Sequence, residues 1–433
     1  FPTDYTHKDI IWHCHRLINE AANNSLEFPS GPVHLNVPLR EPFYPEDDEI
    51  ISYSKDIKTA DLQILKKSIT DWGSNDEFNS FKKILIVGGQ NKFSHQLNTL
   101  LSNISQRCKI PVVSDIISNL SEVANAITTQ DAFLKNKAKY DDLKPDLVIS
   151  YGKSVISKNL KLFLRHVSPT QHWHIQSTGD VADTFQGLTK IIRCNPYEFF
   201  TLLDNNKDDD TNRSFYDLWK NENVNTKTAL HASLHKSEAF SEFKVLKIIM
   251  GSLPGHIDLH LANSMAVRYA NFIGIGHKKG IEVFANRGTS GIDGSVSTAI
   301  GAALSSERQV YLITGDMAFF YDRNGFWHNH LPSNLKIILM NNHGGGIFRM
   351  IDGPSKQPEL KEFFETDQKL TAKYLAQEFD LKYKACANFQ ELSEGIAALS
   401  LPTNKPSILE IETDATVNKK VYKEVIGTLS QFN

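Results

Sequence analysis

QVYLITGD (309–316) and LKIILMNN (335–342), joined through MAFFYDRNGFWHN (317–329) and continued by HGGGIF (343–348), decide how this chain reads. Each of the first two segments is a short apolar run ending in polar residues, the pattern of a strand buried on both faces. With an apolar crossover between them, they predict neighbouring parallel strands. Asp316 and Asn342 then stand at adjacent carboxyl ends, outside which open α/β sheets bind ligands. A carboxylate and a carboxamide oxygen are hard ligands, suited to magnesium or calcium rather than zinc. Two side chains are too few for a closed cage, so water and ligand phosphate oxygens must complete the shell. Gly315 opens backbone amides to an anion, while Gly344, Gly345 and Gly346 let backbone approach a bulky ligand and offer it a carbonyl. The residues by themselves therefore read as a metal–diphosphate site.

The same rhythm extends outward on both sides. IDLHLAN (257–263), IEVFANR (281–287) and SILEIET (407–413) read as further strands, with helical stretches such as SMAVRYANFI and SVSTAIGAAL between them. Residues 215–433 thus form a doubly wound parallel α/β unit, with Asn263 and Arg287 at two more strand ends. A second α/β unit covers 61–203, with strands in KKILIVGG (82–89), IPVVSD (110–115), DLVISYG (146–152), HWHIQS (172–177) and IIRC (191–194). The polar run DNNKDDDTNRS (204–214) reads as a linker, as does 46–60. At the start, residues 9–22 look helical and GPVHLNVPL (31–39) looks like a buried strand. Residues 1–45 are therefore expected to be the tail of a third α/β domain, and the chain an amino-terminal truncation.

Composition sets outer bounds. At 433 residues the chain is too long for one core. A formal net charge of −3 argues against a nucleic-acid surface, so an anionic ligand must be held by local basic residues. The four cysteines are far apart and form no CxxC pair, which suits a reducing, cytoplasmic setting. No apolar run reaches the roughly 18 residues of a membrane span.

GDM and NN with the helix between them resemble the cofactor signature of thiamine-diphosphate enzymes, with Met317 where that signature most often has glycine. A narrower resemblance rests on NRGTSGIDGSVSTAIGAA (286–303), NSMAVR (263–268), NNHGGGIF (341–348) and GPVHLNVPLREPFYP (31–45). These segments are similar to the family that makes 2-succinyl-5-enolpyruvyl-6-hydroxy-3-cyclohexene-1-carboxylate in menaquinone biosynthesis. The resemblance implies thiamine diphosphate with magnesium or manganese, the metal held by Asp316, Asn342 and the Gly344 carbonyl. Gly315, Met317, Ala318 and Ile347 would border the cofactor, and Ile292 would be the apolar wedge that bends it. Asn263, Ser264, Arg268, Arg287, Phe348 and, loosely, Lys158 would face the substrates.

Those implied substrates, 2-oxoglutarate and isochorismate, are dianions, and the arginine fork matches carboxylates. Ser264 and Arg268, four residues apart, share one helix face. The resemblance also implies a homodimer or homotetramer, with the cofactor shared between the pyrimidine domain of one subunit and the diphosphate domain of its partner. The glutamate that activates the cofactor would lie in the pyrimidine domain. No catalytic residue is therefore expected in this chain, and its 433 residues alone are expected to be inactive.

Two other readings stay open. One is a thiamine-dependent decarboxylase or acetolactate-type enzyme acting on smaller keto acids. The other is a non-catalytic nucleotide- or diphosphate-binding module. Several look-alike motifs carry less. GIGHKKG (274–280) precedes a strand rather than a helix, GKS (152–154) lacks the first glycine of a P-loop, and VGGQ (87–90) suits sheet packing. On a helix His13 and His15 point about 200° apart, so they cannot share an ion. His172 and His174 share a strand face without further ligands, which reads as structural.

Overall fold

The computed structural model describes residues 7–27, 30–38, 75–206, 212–276, 278–351 and 353–431. The first unit holds β1 (Ile84–Gly88), β2 (Val112–Ser114), β3 (Leu147–Tyr151), β4 (Gln171–Ile175) and β5 (Lys190–Ile192). All pair in parallel, in the order β2-β1-β3-β4-β5. Strand alternation divides the core: Ile84 and Ile86 join one apolar cluster, Leu85 and Val87 the other. Helices cover both faces, which is why β1 and β3 are apolar at almost every position. One of the covering helices is α1 (Lys158–Val167).

The second unit contains β6 (Asp258–Leu261), β7 (Glu282–Phe284), β8 (Val310–Gly315), β9 (Leu335–Asn341), β10 (Lys382–Cys386) and β11 (Ser407–Glu412). Their order is β10-β11-β9-β8-β6-β7, again parallel throughout. Both units are the doubly wound sheets that the sequence pattern predicts. The chain reverses its direction of travel across the sheet between β6 and β8. That is the place where such sheets open a crevice. Edge strand β10 escaped the sequence reading because KYKAC lacks an apolar run, and its residues are largely exposed or half-exposed.

Helix α2 (Arg213–Lys236) serves both units. Phe215 and Trp219 pack into the first unit, whereas Ala229, Leu230 and Leu234 pack into the second. Asn212, just before it, accepts the Ile84 N–H at 2.8 Å and so ties the helix to β1. A second seam joins the carboxyl ends of the first sheet to β7. There Asn119 exchanges two hydrogen bonds with the Val283 backbone, at 2.7 and 3.0 Å.

Asp115, 2% exposed, lies at the centre of this seam. Its carboxylate accepts from Ile156 N–H, Ser157 N–H (3.1 Å), Gln130 Nε2 (2.8 Å) and Asn271 Nδ2 (3.3 Å). Burial pushes its pKa up to about 6 against those hydrogen bonds.

The amino-terminal expectations fare unevenly. A helix does run over Lys8–Leu26, although Cys14 is its one buried residue. Residues 31–38 form no strand and are exposed, contrary to the buried strand expected there. A strand needs a paired strand beside it, and among the described residues neither sheet includes this segment. The linker at 46–60 lies outside the described residues. His172 and His174 do share one face, where both bond Ser150 Oγ, at 2.7 and 2.9 Å.

Candidate active site

Outside the carboxyl ends of β6 to β9 lies a cavity of about 450 Å³. It brings together Asn263, Ser264, Arg268, Arg287 and Ile292 from the β6 and β7 side. From the β8 and β9 side come Gly315, Asp316, Met317, Ala318, Asn342, Gly344, Ile347 and Phe348. Lys158 is not among the lining residues. It is the exposed first residue of α1, whereas the buried Ser157 and the half-buried Asn159 on either side of it both bond Asp131.

Asp316 opens the short helix Asp316–Tyr321 directly after β8. It is 2% exposed, and Gln368 Nε2 donates to its Oδ2 at 2.7 Å. Backbone N–H groups of Met317 and Gly344 also bond it, yet burial prevails and pushes its pKa up to about 6. A buried carboxylate held this way gains from a cation.

The two asparagines that end β9 have different tasks. Asn341 is fully buried in structure: it donates to Glu410 Oε1 at 2.7 Å and to the Leu370 carbonyl at 3.0 Å. Asn342 turns toward the cavity. Its Nδ2 donates to Glu242 Oε1 at 2.5 Å, while its Oδ1 is buried without a partner. Glu242 begins helix α3 of the site's floor (Glu242–Ser252), and burial raises its pKa to about 7. A Cβ on Gly346 would fall 2.9 Å from Asn342 Nδ2, so only glycine leaves room for this arrangement.

The donor set of Asp316 carboxylate, Asn342 Oδ1 and Gly344 carbonyl consists of hard oxygens alone. The orphaned Oδ1 is what a divalent cation would satisfy. Among the described residues no group of three His, Cys, Asp or Glu could hold a metal by itself. A cation here depends on oxygens that a ligand brings. The residues fit a metal–diphosphate group.

Two guanidinium groups form the opposite wall. Arg268 Nη1 donates to the Ser264 carbonyl at 2.6 Å, and Arg287 Nη1 donates to Asn263 Oδ1 at 2.8 Å. Arg287 Nε is buried without a partner. Burial, and then the neighbouring Arg268 charge, lowers the pKa of Arg287. Burial and then Arg287 do the same to Lys161, one turn beyond Lys158 on α1. Asp131 acts in the opposite sense on Arg268 and Lys161, and Asp115 does so on Arg287 and Lys161.

Asn263 lines the cavity and also braces its wall. Its Nδ2 donates to the Asn286 and Gly291 carbonyls (2.9 and 2.8 Å) and its Oδ1 takes Arg287, so it positions the 286–294 loop and the arginine. Ser264 holds a strained backbone, with φ 71° and ψ −132°. Strain of that kind costs on the order of 1–3 kcal/mol and gathers at functional sites. Ser264→Gly is accordingly expected to raise the thermal midpoint by about 2–4 °C, as calorimetry can check.

Two family models match the chain in succession. Residues 60–261 match the family "Middle domain of thiamine pyrophosphate", and residues 266–411 match "Thiamine pyrophosphate enzyme, C-terminal TPP binding domain". The 2-succinyl-5-enolpyruvyl-6-hydroxy-3-cyclohexene-1-carboxylate synthase of Cytophaga hutchinsonii is 44% identical, over 98% of this chain and 75% of its own length. The chain belongs to this synthase family. The synthases of Flavobacterium psychrophilum and Flavobacterium johnsoniae are 37% and 34% identical. These matches cover 90% and 95% of this chain, and 70% and 74% of the relatives. The lining residues of the cavity from Ala266 onward fall within the stretch matched by the C-terminal TPP binding domain. Sequence reasoning missed Glu242 and Gln368, which touch the site residues only through the fold.

Proposed function

We propose that this protein is a thiamine-diphosphate-dependent carboligase of menaquinone biosynthesis. In this reading it joins the four-carbon unit left by decarboxylation of 2-oxoglutarate to isochorismate. The observation that carries the reading is a single cavity with an unpartnered Asn342 oxygen beside Asp316 on one wall and Arg268 and Arg287 on the other. When bound, thiamine diphosphate supplies the nucleophilic carbon for decarboxylation and carbon–carbon bond formation.

This chain's residues supply the rest. Asp316, Asn342 and the Gly344 carbonyl hold magnesium or manganese against the diphosphate. Ile292, Ile347 and Phe348 provide apolar wall, and Met317 and Ala318 border the cofactor beside Gly315. Arg268 and Arg287 take substrate carboxylates. Desolvated guanidinium–carboxylate contacts are strong and orient the keto acid, which is the larger part of what a protein adds to cofactor chemistry. Ser264 stands on the same wall. Lys158 would reach a substrate only after moving from its exposed place on α1.

The proposal extends to assembly as a homodimer or homotetramer and to the cytoplasm. All four cysteines are buried and none forms a disulfide, which supports a reducing setting. No described helix is long and apolar enough to cross a membrane.

Titration of thiamine diphosphate with magnesium, against ADP with magnesium, tests the reading. Binding of ADP alone would favour a non-catalytic nucleotide module. Turnover of pyruvate in preference to 2-oxoglutarate would favour a decarboxylase of smaller keto acids. Arg287→Met is expected to raise KM for 2-oxoglutarate about 100-fold, equivalent to about 3 kcal/mol, with thiamine diphosphate affinity little changed. An unaltered KM would remove Arg287 from the substrate wall.

A further inference from the structure

The carboxamide of Asn342 has two ends of opposite character, an oxygen that can bind a cation and an NH2 that cannot. Something must decide which end faces the cavity. Glu242 lies 100 residues earlier in sequence and is 3% exposed. Its Oε1 accepts the Asn342 N–H at 2.5 Å. The Oε1 that faces the amide is an acceptor in this arrangement, so the reversed amide would set oxygen against oxygen. Reversal would also present NH2 to the cation.

Glu242 is itself fixed from behind. Its backbone N–H donates to Asn418 Oδ1 at 2.9 Å, and Asn418 Nδ2 donates to Thr413 Oγ1 at 2.9 Å. Both Glu242 and Asn418 are buried. Gly346 leaves the space that Nδ2 occupies. The orientation therefore rests on a buried relay that runs from the carboxyl end of β11 to the cavity.

We propose that Glu242 is a positioning residue for the metal site, holding the Asn342 carboxamide with Oδ1 toward the cation. The proposal rests on the cofactor reading above and names the residue that sets its metal affinity. Partners that orient metal ligands typically contribute 10–100-fold to affinity.

The experiment measures apparent magnesium affinity through thiamine diphosphate binding by calorimetry, in wild type and five variants of the whole chain. Glu242→Leu is expected to weaken magnesium about 10–100-fold. Glu242→Gln, whose Oε1 can still accept, is expected to stay within about threefold, since a neutral acceptor keeps most of the hydrogen bond. Adding Asn342→Asp to Glu242→Leu is expected to restore affinity to within about threefold, because a carboxylate has oxygen at both ends and needs no orienting.

Asn342→Asp alone places two carboxylates together and is expected to bind about tenfold more weakly than the Glu242→Gln/Asn342→Asp pair. That comparison uses near-isosteric changes, so it stands even where Glu242→Leu fails to fold. Wild-type affinity in Glu242→Leu, or absence of any gain in both double variants, overturns the positioning role. A wild-type protein that binds no thiamine diphosphate with magnesium overturns the cofactor reading, and this proposal with it.

Discussion

Asp316→Ala is expected to raise the apparent Kd for thiamine diphosphate with magnesium by more than about 100-fold and to leave the fold intact. Removing a residue that merely orients a ligand costs 10–100-fold in comparable sites, so removing a ligand itself should cost more. The fold is expected to persist because the ligand-free protein gains little from this carboxylate. Asp316 is buried, and desolvation raises its pKa to about 6 despite the Gln368 hydrogen bond. A raised carboxylate pKa means that its share of stability is present below about pH 4 and is lost as pH rises through about 6. At pH 8 the alanine variant without ligand should therefore unfold at the wild-type temperature or slightly above it. Calorimetric titration and a thermal scan at pH 8 check the two halves. Unchanged affinity would sink the metal assignment, and collapse of the circular-dichroism signal would sink the claim that the site is built for a cation.

The second large effect concerns the seam between the two sheets. Asp115→Ala is expected to destabilise the protein by about 3–5 kcal/mol, since it strands several buried donors at once. Those donors are the Ile156 and Ser157 N–H groups, Gln130 Nε2 and Asn271 Nδ2. Asp115→Asn should cost far less, about 1 kcal/mol. Its oxygen can still accept both backbone N–H groups. Its new NH2 can meet Gln130 Oε1, which is buried without a partner, once that amide turns over.

The pair also differs in pH dependence. Wild-type Asp115 has a pKa raised to about 6, mainly by burial, so its contribution falls between about pH 4 and pH 6. The asparagine variant lacks that fall, and its deficit relative to wild type should shrink as pH rises through this window. Urea midpoints measured at pH 4, 5, 6 and 7 would show it. A deficit that grows toward pH 7 would mean that the ionised carboxylate, rather than the acid, is the form the seam favours.

Much of this molecule is legible from local pattern. The strands around β1, β3, β8 and β9 announce themselves because a parallel strand covered on both faces must be apolar at nearly every position. Asp316, Asn342, Asn263 and Arg287 stand out because polar residues at the ends of such runs have few packing reasons to be there. Strand β10 did not announce itself: an edge strand needs only a hydrogen-bonding neighbour, and KYKAC shows no apolar run. GPVHLNVPL misled for the complementary reason, since alternating apolar residues promise a strand only where a partner sheet flanks them. Lys158 was aligned by its neighbours in sequence, whereas the helix turns it into solvent and brings Lys161 toward Arg287 instead.

The sequence alone determined the two doubly wound sheets, the family resemblance and the metal–diphosphate pattern, because burial period and strand-end chemistry are properties of contiguous residues. Only the tertiary structure decided what orients that site. Glu242 meets Asn342 across 100 residues and Gln368 meets Asp316 across 52. A hydrogen bond of such range leaves no periodic trace in a chain, since its geometry exists only after the sheet has brought the partners within 3 Å.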